Sequence, residues 1–213
     1  MKIQKRSFLA MSILMSLVTY GQASMQTFES PNLKKEIATH KLIAILPLRV
    51  SISYKKMPKD YSVDGNKLEE KKQGINLQDG MYTYLLRKSK NFTVSCQEVE
   101  TTNILLKKAG VFDNLDETLK DSICKILKVD AVIGASYSYE RTGSEAGAIA
   151  KSLLFGFGGS VASGLLTMQI YNGKDGAMLW RFTKEMNEGV FSSANEMVER
   201  MMRKISRNFP YEK

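Results

Sequence analysis

The residues of this 213-residue chain whose spacing could carry chemistry gather in one stretch, 152–164 (SLLFGFGGSVASG). Gly159 and Gly164 have the separation of a phosphate-binding loop. Leu165 and Leu166 follow, where that motif needs a lysine for the phosphates and a Ser/Thr for magnesium. Gly156 and Gly158 begin a dinucleotide fingerprint, but Val161 takes the place of its third glycine. Gly158-Gly159-Ser160-Val161-Ala162 is close to a nucleophile elbow, which needs a strand before the serine, a helix after it and a histidine downstream. The single histidine, His40, is upstream and reads as a satisfied or exposed residue at the start of a strand. A hydrolase using Ser160 is therefore the least supported reading. The two S-x-x-K matches, Ser53 to Lys56 and Ser122 to Lys125, are expected by chance in so lysine-rich a chain.

Metal chemistry finds no better footing. One histidine and two distant cysteines do not make a zinc cluster. Asp113, Asp116 and Glu117 read as acids favoured at a helix start, and Asp175 as a turn residue. The sequence thus nominates no catalytic residue, no cofactor site and no metal site, and the chain is expected not to be an enzyme.

The chain's first residues place it. Lys2, Lys5 and Arg6 precede an apolar run from Phe8 to Val18, and Gly21-Gln22-Ala23 supplies small residues for cleavage. This is the layout of a secretory signal peptide, 1–23, with too short a core to span a bilayer. No cysteine follows for acylation. Removing the signal takes away three basic residues and no acidic one, so the net charge falls from +9 to +6. The lysines are scattered in pairs such as Lys34-Lys35 and Lys107-Lys108, which reads as solvated surface rather than a nucleic-acid groove. Cys96 and Cys124 are expected in an oxidising compartment, where a disulfide and two buried thiols are alternatives.

Between these signals lie the elements that must position any site. Residues 24–40 are polar and read as a flexible mature N-terminus, and 41–213 as one domain. Leu42-Ile43-Ala44-Ile45-Leu46 predicts a strand buried on both faces, bent by Pro47. Residues 55–73 read as a long polar loop. Helices are predicted from Leu77 to Ser89, from Val99 to Lys108 with Gly110 as the stop, and from Leu115 to Leu127 with Asn114 as its cap. Strands are predicted at Asn91–Ser95, from Ala131 to Tyr139 and from Leu166 to Tyr171, with a hairpin partner from Ala177 to Lys184. Ala194, Met197, Val198, Met201, Ile205 and Phe209 mark a closing helix whose outer face carries Arg200, Arg203, Lys204 and Arg207. The order predicts an α/β fold: a mixed sheet covered by helices in a single compact domain with a C-terminal hairpin and helix, plus a glycine-rich insertion at about 142–164.

Five segments, taken in order, carry a resemblance. IAILPL at 43–48, LLRKSKNFTVS at 85–95, ILLKKAG at 104–110, ICKILKVDAVIGASYS at 123–138 and YNGKDGAMLW at 171–180 resemble a group of bacterial envelope proteins. That group includes the curli-secretion channel subunit, the lipoprotein activator of penicillin-binding proteins and the amino-terminal domain of TolB. The resemblance implies a non-enzymatic exported protein of the periplasm or the periplasmic face of the outer membrane, acting through protein–protein contacts in envelope assembly or secretion. It leaves open a homo-oligomer, peripheral membrane contact and a pore-forming subunit, and implies an envelope partner without naming one. The candidate contact residues are Leu153, Leu154, Phe155 and Phe157 in the uncharged run between Lys151 and Lys174, with the basic Arg200, Arg203, Lys204 and Arg207 second.

Overall fold

A computed structural model of the chain describes residues 25–141, 159–191 and 194–213. The signal-peptide reading of 1–23 and the contact candidates Leu153, Leu154, Phe155 and Phe157 lie outside the described residues.

The fold grows from β2, Leu42–Ile45, whose unbroken apolar run feeds both faces of a sheet. Ile43 and Ile45 join one core with Ile133, while Ala44 and Leu46 join another with Val132 on the opposite face. Their common neighbour is β5, Ala131–Arg141, parallel to β2. Pro47 has no N–H to give and interrupts the ladder. Between the pairs Ile45↔Ile133 and Arg49↔Ser136 the chain advances four residues against three, then continues along β5 as β3, Arg49–Tyr54.

Leu48, inside this bulge, turns its N–H away from the sheet and donates to the Gly74 carbonyl at 3.2 Å. Gly74 belongs to α2, Val63–Arg87, and a Cβ there would stand 2.1 Å from the Leu48 oxygen. Only glycine lets this helix come so near the backbone of the bulge.

The sheet has seven strands in the order β1-β7-β6-β5-β2-β4, with β3 also beside β5. β4 is Ser95–Cys96, parallel to β2. β6, Gly159–Asn172, and β7, Met178–Phe191, form a long antiparallel hairpin against β5. β1, Met25–Glu29, closes the far edge antiparallel to β7. One face is packed by α2 and by α5, Ala194–Ile205, through Leu77, Met81, Met197 and Met201. The other is packed by α3, Val99–Lys108, and α4, Lys120–Leu127, through Leu106, Ile123 and Leu127. This is the expected mixed sheet covered by helices in a single compact domain.

The strand read from Leu166 begins at Gly159, so the last residues of the glycine-rich stretch read as an insertion at about 142–164 are paired in the sheet. Four further element readings need correction, each for a physical reason. Part of the polar tail at 24–40 is structured, as edge strand β1 and a short helix α1, Leu33–Ile37. All five residues of β1 are exposed, so the strand shows no apolar alternation. The loop read at 55–73 ends at Ser62, whose hydroxyl accepts from the Gly65 N–H at 3.0 Å and starts α2. Its first turns bury Asn66, Glu69 and Gln73, a polar face that hydrophobic periodicity cannot reveal.

The third helix begins at Lys120, not Leu115, and Leu119 precedes it. Asn114 acts through its carbonyl, accepting from the Glu117 N–H and the Thr118 hydroxyl, and does not cap a helix with its side chain. The strand read at Asn91–Ser95 shrinks to Ser95–Cys96, preceded by a 3-10 turn at Ser89–Asn91. Gly110 stops α3 as expected, in the left-handed conformation at φ +70.

Candidate interaction surface

β5 ends at Arg141, the last described residue before 142–158, and the fold fixes this end from inside. The Arg141 side chain is 5% exposed and meets Glu69 of α2, itself 1% exposed, at 2.5 Å. Two charges so buried need further hydrogen bonds to offset lost hydration. Tyr54 at the end of β3 donates its hydroxyl to Asn66 at 3.0 Å and lies 3.4 Å from Glu69 Oε2. Asn66 in turn donates to the Ile52 carbonyl and to Glu70, which accepts the Ile52 N–H at 2.8 Å.

Burial first, then the Glu69 carboxylate, push the Tyr54 hydroxyl up to about 12. Burial works against the Arg141 charge, but Tyr139 and Glu69 outweigh it and hold its pKa above the ordinary value. The Lys55 N–H donates to the Arg141 carbonyl at 2.8 Å, extending the ladder one residue past β3. Two strands and a helix are thus bolted together at Arg141, the last residue of β5. The cluster's described side chains are buried or half-buried, and their hydrogen bonds hold backbone in place.

The second feature is an open sheet face. α3 and α4 cover β2, the first residues of β5 and the last of β6, but no described helix packs over the rest of that face. Ser51, Ser138, Thr183 and Arg181 line it, and Leu165 stands 45% exposed while its neighbour Leu166, on the helix-packed face, is 1% exposed. At the rim of this face Arg49 pairs with Asp116. Lys120 donates to the Leu115 and Thr118 carbonyls, and burial followed by Arg49 lowers its pKa. That lysine secures a turn.

The structure separates the other sequence candidates. Arg203 and Lys204 are exposed on α5, and Arg203 donates back to the Glu199 carbonyl at 3.2 Å. Arg200 is half-buried and lowers the pKa of Tyr137 below what burial alone would give. The basic stretch therefore splits into two solvent-facing side chains and one inward-leaning one; the side chain of Arg207 lies outside the described residues. Ser160 sits within β6 opposite Val190, with more strand after it instead of a helix, so the elbow geometry is not built. His40 is buried and satisfied, within 2.7 Å of the Tyr211 hydroxyl and 3.3 Å of Asn172 Oδ1.

Cys96 and Cys124 are free thiols, associated with the two opposite cores, and burial pushes each up to about 12. Among the described residues no group of three His, Cys, Asp or Glu could hold a metal, and no helix is long and apolar enough to cross a membrane.

Glu69 and Arg141 were missed by sequence reasoning. Asn66, Glu69 and Gln73 do recur at helical spacing, but as polar residues, which is the reverse of the pattern that identifies a buried face.

No protein-family model and no curated protein matches the sequence. Among solved structures, the chain is similar to a lipoprotein, GNA1162, from Neisseria meningitidis, at 10% identity over 79% of this chain and 99% of that one, with a TM-score of 0.47. It is also similar to the LpoB C-terminal domain from Salmonella enterica, at 12% identity over 74% and 93% of the two chains and a TM-score of 0.39. A PelC dodecamer from Paraburkholderia phytofirmans gives 13% identity over 89% and 96%, with a TM-score of 0.40. At such identities and scores, function is left to the chain's own residues.

Proposed function

We propose that this is a non-enzymatic exported protein of the cell envelope that works by protein–protein contact, with Leu153, Leu154, Phe155 and Phe157 as the principal contact residues. The observation that supports it is the buried Glu69–Arg141 pair at the root of 142–158. A buried ion pair adds little net stability but fixes geometry, and here the fixed element is the end of β5, which residues 142–151, with Glu145 and Lys151, join to the uncharged run that carries Leu153, Leu154, Phe155 and Phe157. Exposed apolar side chains in a cluster mark interaction sites. Arg203 and Lys204 form a secondary contact toward an acidic partner.

The test is Leu154→Asp combined with Phe157→Asp, read by pull-down from envelope fractions and by circular dichroism. A folded double variant that no longer captures the wild-type partners supports the reading. An unfolded one makes the segment core and removes the proposal.

The second reading is a membrane-associated subunit, favoured by the apolar Leu153, Leu154, Phe155 and Phe157 that precede β6; the rest of the uncharged run, from Gly159 to Asn172, is that strand. Liposome flotation separates the two: lipid association that the double variant abolishes favours the membrane, and none at any salt concentration excludes it.

A further inference from the structure

We infer that the outer edge of β1 is a self-pairing edge, through which two copies of the chain join their sheets antiparallel about Thr27. The proposal stands on β1 alone and does not depend on residues 142–158. β1 is the terminal strand of the sheet, and no described strand lies beyond it. The Ser30 N–H donates to the Leu179 carbonyl at 2.8 Å, so in an antiparallel ladder Phe28 and Gln26 also face β7, opposite Arg181 and Thr183. The N–H and C=O of Met25, Thr27 and Glu29 therefore point outward, along a strand whose five residues are all exposed.

Natural sheets guard such an edge with lysine, proline, a bulge or a cover. This chain has 31 lysines and arginines, yet none lies between Ser24 and Leu33, and Pro31 falls after the strand has ended. The β1–β7 register runs without a shift, so no bulge turns the edge away. Met25 at 51% and Phe28 at 45% exposure add apolar side chains to both faces of this strand, whose one charged residue is Glu29 at its end.

A second copy fits because the edge is complementary to itself. With a two-fold axis at Thr27, Met25 lies opposite the other copy's Glu29 and Thr27 opposite Thr27. Each of these pairs exchanges two hydrogen bonds, so all the outward groups of both edges are satisfied. Gln26 and Phe28 stack across the axis on the open face, with no like charges opposed. Elsewhere two copies, each carrying a strong positive charge, repel; this lysine-free edge is where they can approach. The contact is a closed, isologous pair. Its area is small beside a stable obligate interface, so the dimer is expected to be concentration-dependent.

The experiment is sedimentation equilibrium of the exported protein, wild type against Thr27→Pro and Thr27→Lys. Proline removes only an outward N–H and leaves the β7 ladder intact. Lysine places two like charges opposite each other at the axis. The wild type should show a reversible monomer–dimer equilibrium. Thr27→Pro, with unchanged circular dichroism, should dimerise about twenty-five-fold more weakly, the loss of two hydrogen bonds of roughly fivefold each. Thr27→Lys should also dimerise more weakly, to an extent that shrinks as salt is added. Thr27→Cys should form a disulfide-linked dimer under mild oxidation while the wild type, with Cys96 and Cys124, does not. A wild type that stays monomeric overturns the proposal, as does an oligomer indifferent to both Thr27 variants. If Thr27→Pro instead abolishes capture of a different envelope protein by a monomeric wild type, the edge belongs to that partner's strand and self-pairing is wrong.

Discussion

The two halves of the sheet are built to different rules. Around β2 and the start of β5, parallel strands are covered on both faces, and the sequence there is continuously apolar. Across β6, β7 and β1, antiparallel strands are packed by α5 on one face and left open on the other, and the sequence alternates until, at β1, it stops signalling burial at all. Parallel ladders need crossover helices, which cover them, whereas a hairpin can face water on one side. The covered half is the structural base, and the half-open one is where surface remains for a partner.

The sharpest break of this comparison is at the junction between the halves. Gly74→Ala sets a methyl group against the Leu48 carbonyl, and neither atom lies at the end of a flexible side chain. A loss of about 3 kcal/mol or more is expected in urea unfolding. Arg141→Ala should cost about 3–5 kcal/mol, because the buried Glu69 carboxylate loses its counter-ion. The double change Glu69→Met with Arg141→Met should recover most of that loss; if it does not, the pair contributes more than geometry.

Adjacent leucines give a finer contrast. Leu166→Ala, on the packed face, should cost about 2–5 kcal/mol. Leu165→Ala, on the open face, should stay within about 0.5 kcal/mol. Equal losses would mean that the open face is covered after all.

Acid titration probes the covered half more gently. Burial raises the Asp130 pKa, but the Leu42 and Lys41 N–H groups, at 2.9 and 2.7 Å, together with His40 and Lys41, bring it below the ordinary value. A carboxylate depressed by folding adds stability that is present above the unfolded value of roughly 3.9 and lost as pH falls through the folded one. Asp130→Asn should therefore remove part of the acid sensitivity in that window while leaving its remainder, measured by urea midpoints between neutral pH and pH ~3. The smallest effect expected is on the thiols: Cys124, buried and pushed up to about 12, should not react with a thiol reagent at mildly alkaline pH until the chain unfolds, whereas half-buried Cys96 should react, more slowly than a free thiol.

What the sequence made legible follows the same division. β2, β5, α3, the hairpin turn and α5 each announce themselves through periodicity or a glycine stop. The start of α2 does not, because its buried side is Asn66, Glu69 and Gln73, of which Glu69 meets Arg141, some seventy residues away in the chain. A local pattern cannot report a partner that only the fold supplies. β1 is silent for the opposite reason: it buries nothing, and only its pairing with β7 makes it a strand. The basic residues of α5 were grouped by helical spacing, but Arg200 leans inward, which spacing cannot distinguish from facing solvent.

The most direct test of the contact role is the amount of envelope protein captured per folded molecule, wild type against the Leu154→Asp, Phe157→Asp double variant. The account predicts capture lost with the urea midpoint unchanged. Capture retained by the folded double variant would contradict it.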